Sequence, residues 1–261
     1  SKKNQYQNIG ELIVGFSLLF LGLSFMKNSV PDLRETPQVL EFVTTWASHG
    51  LGSVLLFLAF GTVLTLVLQS SSATMAITLI MLSMGWIPFH MACAMVLGEN
   101  IGTTITANIA ASVGNTQAKR AAMSHTIFNV FGVIWALILF KPFTALVGKI
   151  IELFGLPNPA AEGFAVVEGS ADTSTAALYG LSMLHTLFNT INTLLLIWFV
   201  KLIEKAVVWI IKPKSQDKEP FRLKYIAAGP LATPELAAEQ AFDEIIHFAE
   251  ISRNGLGYAK Q

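Results

Sequence analysis

The chain has little charge. Asp, Glu, Lys and Arg make up only 13% of its 261 residues, against 53% apolar residues, and its mean hydropathy is +0.57. That balance excludes an ordinary soluble globular domain. The single cysteine, Cys93, excludes an internal disulfide and a cysteine-based metal site. Residues 35–118 contain no Lys or Arg, so this stretch offers no fixed positive charge to an anion. The chain also lacks a G-x-S-x-G elbow, an H-E-x-x-H pair and an acidic metal cluster, which argues against a membrane hydrolase and against an enzyme in general. No small-residue cleavage pattern follows Lys2 and Lys3, so the first apolar stretch reads as retained in the protein.

Long apolar runs are what the chain does have. They are about 17 to 25 residues long, the length of membrane-crossing helices, and lack the alternation of barrel strands. Charge asymmetry orients them. Lys201, Lys205, Lys212, Lys214, Lys218, Arg222 and Lys224 follow the last apolar span, whereas residues 153–176 hold no Lys or Arg and carry Glu162, Glu168 and Asp172. The positive-inside rule puts the basic cluster in the cytoplasm, where it anchors topology and meets lipid headgroups; nucleic acid is not the expected partner. The span 177–200 then runs inward and the span 121–140 outward, with Lys119 and Arg120 at its cytoplasmic foot. Between them, 143–154 reads as a short amphipathic helix on the outer surface. Near the front, 9–26 reads as one apolar helix and 30–50 as a loop with a short interfacial helix at 38–47.

Residues 51–86 are too long for one perpendicular span, and the string QSSSAT at 69–74 falls near their middle. A discontinuous helix or a re-entrant hairpin fits both facts, because non-helical backbone at that depth is tolerated only beside protein or a water-filled cavity. A second interruption is expected in GENIGTTITAN, residues 98–108, with Gly98 and Gly102 letting the backbone unwind. Two broken helices so close together point to a transporter core.

The chemistry follows from the side chains. Gln69, Ser70, Ser71, Ser72 and Thr74 offer hydroxyl and amide donors to an oxyanion. A half-helix starting near Ser72 would aim its free N–H groups and positive dipole end at the same point. Without Lys or Arg, the anion needs co-bound cations. Gln69, Glu99, Asn100, Thr103 and Thr104, with unwound carbonyls, are hard oxygen donors suited to sodium. His125 and His185, in HTIFN and HTLFN, lack a second ligand at i+3 or i+4 and read as helix-packing or capping residues. Asn129 and Asn189 read as ties between neighbouring helices.

QSSSAT, then G-x-N-I-G-T-T about thirty residues later, then a basic pair followed by HTIFN, resembles the bacterial form of the sodium-dependent phosphate cotransporter type II family. The resemblance covers about residues 10–200. It implies an all-α polytopic membrane protein of the cytoplasmic (inner) membrane, made of transporter repeats with broken or re-entrant helices. It implies sodium-coupled symport of inorganic phosphate by alternating access, with sodium as coupling ion and no other cofactor. Family members carry two inverted repeats, each with its own QSSS. The order of motifs here looks like the second, so the first is expected elsewhere in the same protein. Bacterial members commonly add a PhoU-like cytoplasmic helical domain, and residues 233–251 read as the start of one, capped by Thr233 with Pro234 in the first turn. The expected organisation is therefore a transporter repeat at 1–212, a linker at 213–232 and the opening of a PhoU-like domain at 233–261, with a cytoplasmic C-terminus. Glu99 departs from the family pattern, where a small residue is usual; it would bind a cation or proton, or face an aqueous vestibule. A transport-inactive scaffold that signals through the PhoU-like domain is the rival reading, and a homo-oligomer remains open.

Overall fold

A computed structural model describes residues 2–29, 45–47, 49–167, 170–213 and 234–258. It divides into two compact units, Ser1–Lys212 and Pro213–Gln261. All regular structure among the described residues is helical. The interfacial helix expected at 38–47 and the Thr233 cap fall largely or wholly outside these residues.

The first unit opens with α1, Lys2–Ser29, an apolar helix whose side chains such as Leu12 and Phe16 are exposed. After Gly50 in the left-handed region comes α2, Leu51–Leu68. The chain then breaks where the polar string predicts. Gln69 takes φ 53°, ψ 26° as a left-handed C-cap, and Ser70 turns extended as the N-cap of α3, Ser71–Ser83, its hydroxyl accepting from the Ala73 N–H. A serine oxygen meets one of the N–H groups that every helix start leaves open. Pro88 precedes α4, Phe89–Ala111, matching the place where a missing N–H costs least.

The second expected interruption is absent. α4 runs unbroken through Gly98–Asn108. Its glycines serve close packing instead: a Cβ on Gly98 would collide with the Leu58 carbonyl oxygen, one on Gly61 with that of Met95, and one on Gly102 would lie 2.6 Å from Thr65 Cβ. α2 and α4 therefore run side by side in the same direction, in the small-residue manner of apolar helices. The Thr62 hydroxyl is shared between Leu58 O at 2.9 Å and Gly98 O at 3.0 Å. α3 returns along α4 in the opposite direction, since Ser71 and Ser72 lie near Thr103 while Thr78 meets Glu99. The result is a helix–break–helix hairpin packed on α4. The stretch Ala92–Leu97 is fully buried, as expected of a helix that is apolar all round.

Asn115 caps α5, Thr116–Ile138, accepting from the Ala118 N–H at 2.9 Å. Then come α6, Phe140–Leu153, close to the amphipathic helix expected there and burying Phe140, Phe143, Val147 and Ile151, and α7, Ala171–Leu196. A short 3₁₀ turn, Ile197–Phe199, leads to α8, Val200–Ile210, amphipathic and not foreseen from its lysines. Asn108 ties α4 to α5 through Thr126 Oγ1 at 2.6 Å. Asn192 ties α7 to α5, donating to Phe128 O at 3.0 Å and accepting from Trp135 Nε1 at 3.2 Å. α2 and α5 are long and apolar enough to cross a membrane. In the second unit α9 spans Pro234–Tyr258.

Candidate functional site

The start of α3 opens onto a cavity of about 390 Å³. The hairpin turn puts it there: with Ser70 as cap, Ser71 and Ser72 occupy the first turn, and their backbone N–H groups have no partner within the helix. Both side chains line the cavity. Across from them α4 presents Glu99, Asn100 and Thr103, α5 presents His125, Phe128 and Asn129, and α7 presents His185 and Asn189.

Each polar group has a defined orientation. Asn100 Nδ2 donates to Val96 O at 2.8 Å, which leaves the amide oxygen as an acceptor. The Thr103 hydroxyl donates to Glu99 O at 2.8 Å and keeps its lone pairs. The Glu99 carboxylate, 3% exposed, accepts from Thr78 Oγ1 at 2.9 Å, a hydroxyl it shares with Thr74 O at 2.9 Å. Among the described residues that is its only hydrogen bond, and no lysine or arginine lines the cavity. A buried carboxylate needs a proton or a cation beside it. The wall thus combines an anion-favouring helix start with oxygen donors for a cation.

Five of the sequence-derived candidates meet here: Ser71, Ser72, Glu99, Asn100 and Thr103. Four stand off the wall. Gln69 is the exposed C-cap, and the Ser70 hydroxyl is held by its cap bond. Thr74 and Thr104 are buried and donate to carbonyls of their own helices, Ser70 O at 3.1 Å and Ile101 O at 2.8 Å.

The histidines and asparagines of HTIFN and HTLFN, read from sequence as packing residues, stand on the cavity wall. Their asparagines do not bridge helices. Asn129 Nδ2 donates back to His125 O at 3.0 Å and Asn189 Nδ2 to His185 O at 2.9 Å; Asn108 and Asn192 make the interhelical ties instead. The signal available in the sequence was the repetition itself, the same H-T-x-F-N order sixty residues apart.

Comparison with known proteins finds relatives for part or most of the chain. A family model described as Na+/Pi-cotransporter matches residues 40–157. The chain is 35% identical over 160 residues to the uncharacterised protein YqeW of Bacillus subtilis, covering 59% of this chain and 47% of that one. It is 21% identical over 249 residues to YjbB of Salmonella typhimurium, a proposed inorganic phosphate export protein, covering 95% and 41%. Against the human sodium-dependent phosphate transport protein 2C it is 35% identical over 121 residues, 45% of this chain and 18% of that one. The chain spans less than half the length of these relatives, and no solved structure matches it. The named relatives with a stated role are transport proteins, not enzymes. Through the segment 40–157, which holds the α2–α3 hairpin and the Glu99–Thr103 wall, this chain is related to the Na+/Pi-cotransporter family.

Proposed function

We propose that this chain is one repeat of a membrane transporter for inorganic phosphate, coupled to sodium and working by alternating access. The observation that carries the reading is the cavity at the start of α3, where neutral donors from Ser71 and Ser72 face the oxygen ligands of Glu99, Asn100 and Thr103. With the Glu99 carboxylate on the same wall and no lysine or arginine, an oxyanion there is favoured by a cation that arrives with it. Sodium is the natural companion, since Asn100 and Thr103 present hard oxygens and Glu99 a carboxylate.

The rest of the cage comes from a first repeat of the same protein. The hairpin α2–α3 dips into the bilayer of the cytoplasmic membrane as a re-entrant element. The basic residues near Arg120 and Lys212 lie on the cytoplasmic side; Arg120 Nε and Nη2 donate to Ile211 O at 3.2 and 3.1 Å, which supports placing both basic regions on one face. The helix α9, Pro234–Tyr258, belongs to a PhoU-like cytoplasmic domain.

The test is phosphate flux in proteoliposomes holding the full-length protein. Radiolabelled phosphate should move across the membrane with a sodium gradient and stay put in potassium-only buffer. Equal flux in the two buffers would reject sodium coupling, and no phosphate movement under either condition would leave the scaffold reading standing.

A further inference from the structure

We infer that the His125–Asn129 and His185–Asn189 pairs form the second half of the oxyanion site and set which oxyanion it accepts. This rests on the transport reading above and names the residues that face Ser71 and Ser72 across the cavity.

The two pairs are built alike. Each sits on one helical turn, on α5 and on α7, and in each the asparagine amide spends one N–H on the carbonyl oxygen of its histidine, at 3.0 and 2.9 Å. That bond fixes the amide plane. Each pair then keeps an imidazole donor, an imidazole acceptor, one amide N–H and the amide oxygen. All four side chains line the cavity. Asn129 is 4% exposed, so its remaining groups must be met by a ligand or trapped water.

Among the described residues, interhelical hydrogen bonds do not use these four side chains. The hydrogen-bonded ties between α5 and its neighbours fall to Asn108, Asn192 and Trp135, with Arg120 joining the end of α8. Nor do three metal-ligating side chains converge here; among the described residues no such group exists.

Donors and acceptors mixed in this way suit one chemical class. A tetrahedral oxyanion that carries its own proton, such as hydrogen phosphate, accepts from the imidazole, amide and serine donors and donates its P–OH to an amide oxygen or imidazole nitrogen. Sulfate has the same shape and no proton at neutral pH. It leaves those acceptors facing its own lone pairs, a penalty that falls most on buried Asn129, since His185 and Asn189 are half-buried and His125 is exposed. Sodium ions compete for some acceptors, and the proton of the anion answers the rest.

The experiment measures equilibrium binding of labelled phosphate to the full-length protein in sodium, with sulfate as competitor. His185→Phe and His125→Phe should each weaken phosphate binding by about tenfold or more, the loss expected for one hydrogen bond to a charged ligand. His185→Gln and His125→Gln retain a donor and an acceptor and should stay within about threefold of wild type. Asn129→Leu and Asn189→Leu should narrow the preference for phosphate over sulfate, which a packing defect would not do. Phenylalanine variants that bind like wild type would overturn the inference, as would glutamine variants as impaired as the phenylalanine ones, or unchanged selectivity in both leucine variants. Wild-type protein that binds no phosphate would overturn the transport reading and this inference with it.

Discussion

Replacing Gly61 by alanine probes how tightly α2 is seated on α4. The added Cβ would collide with the Met95 carbonyl oxygen and lie 2.8 Å from Met95 Cα and carbonyl carbon. These are backbone atoms that no rotamer change can move. Carbon atoms rest at about 3.5 to 4.0 Å, so the helices must part by roughly 1 Å. The Thr62 Oγ1–Gly98 O bond, now 3.0 Å, would then lie beyond hydrogen-bond range. Overpacking of this kind costs about 1 to 3 kcal/mol, and the broken bond adds about 1 kcal/mol. At about 2 to 4 °C per kcal/mol for a chain of this size, the unfolding midpoint should fall by on the order of 10 °C. Cys93 supplies the assay: it is the one cysteine in the sequence and is fully buried in α4, so a dye that fluoresces on coupling to a thiol reports when that helix opens. Gly52→Ala is the control in the same helix. Nothing lies within 4 Å of its added Cβ, so its midpoint should hold or rise, alanine being favoured over glycine by up to about 1 kcal/mol. Matching midpoints for the two variants would refute the close approach of α2 and α4.

Ser71→Ala should weaken phosphate binding by about 1 to 3 kcal/mol by leaving a buried oxyanion lone pair unmet; titration with labelled phosphate at saturating sodium checks it, and wild-type affinity would remove Ser71 from the site. Asn100→Ala and Thr103→Val should raise the sodium concentration for half-maximal flux more than the phosphate concentration measured at saturating sodium, and Glu99→Gln should do the same if its carboxylate holds the cation. Linkage requires each ligand to raise the other's affinity by the same factor, so a loss confined to phosphate, with sodium dependence intact at low phosphate, would assign this wall to the anion. Single cysteines at Gly163 or Ser170, in a Cys93→Ser background, should react with an impermeant maleimide from outside, and one at Ser215 should not. The reverse pattern of labelling would invert the proposed orientation.

The break at Gln69–Ser70 is legible in the sequence because its causes are local. Four hydroxylated residues interrupt an apolar run, and a serine in that place offers itself as a helix cap. Amphipathic α6 is legible for the same reason, its apolar stripe being periodic. Glycine is where local reasoning stops. Gly98 and Gly102 are compatible with an unwound backbone and with a close helix contact, and only the presence of α2 alongside, with Leu58, Thr62 and Thr65 at the contact, decides for packing. His125 and His185 show a related limit. Their spacing along the chain excludes a shared helical turn, but their meeting at Ser71 depends on how α5 and α7 flank α4, which no short window contains. α8 is hidden by Lys201 and Lys205, which read as a charge cluster although Val207 beneath them is buried.

The continuous α4 alters what the glycines contribute to the site. One face of the helix, Gly98 and Gly102, presses against α2 so closely that neither position admits a Cβ without displacement. Glu99, Asn100 and Thr103, interleaved with those glycines, look the other way into the cavity. An unwound turn would have supplied free carbonyls as ligands but would have left the side chains loosely placed. A straight helix clamped from behind does the opposite: its carbonyls are spent within the helix, and the Asn100 amide, the Thr103 hydroxyl and the Glu99 carboxylate are held in fixed directions by bonds to Val96 O, Glu99 O and Thr78 Oγ1. Precision of that kind is what a site needs when it must hold an anion with neutral donors, because each misplaced hydrogen bond is lost in full and no fixed charge compensates for it. Under the proposed function, ligating a cation therefore falls to side-chain oxygens of α4, and facing the anion to the open start of α3 together with the paired residues of α5 and α7.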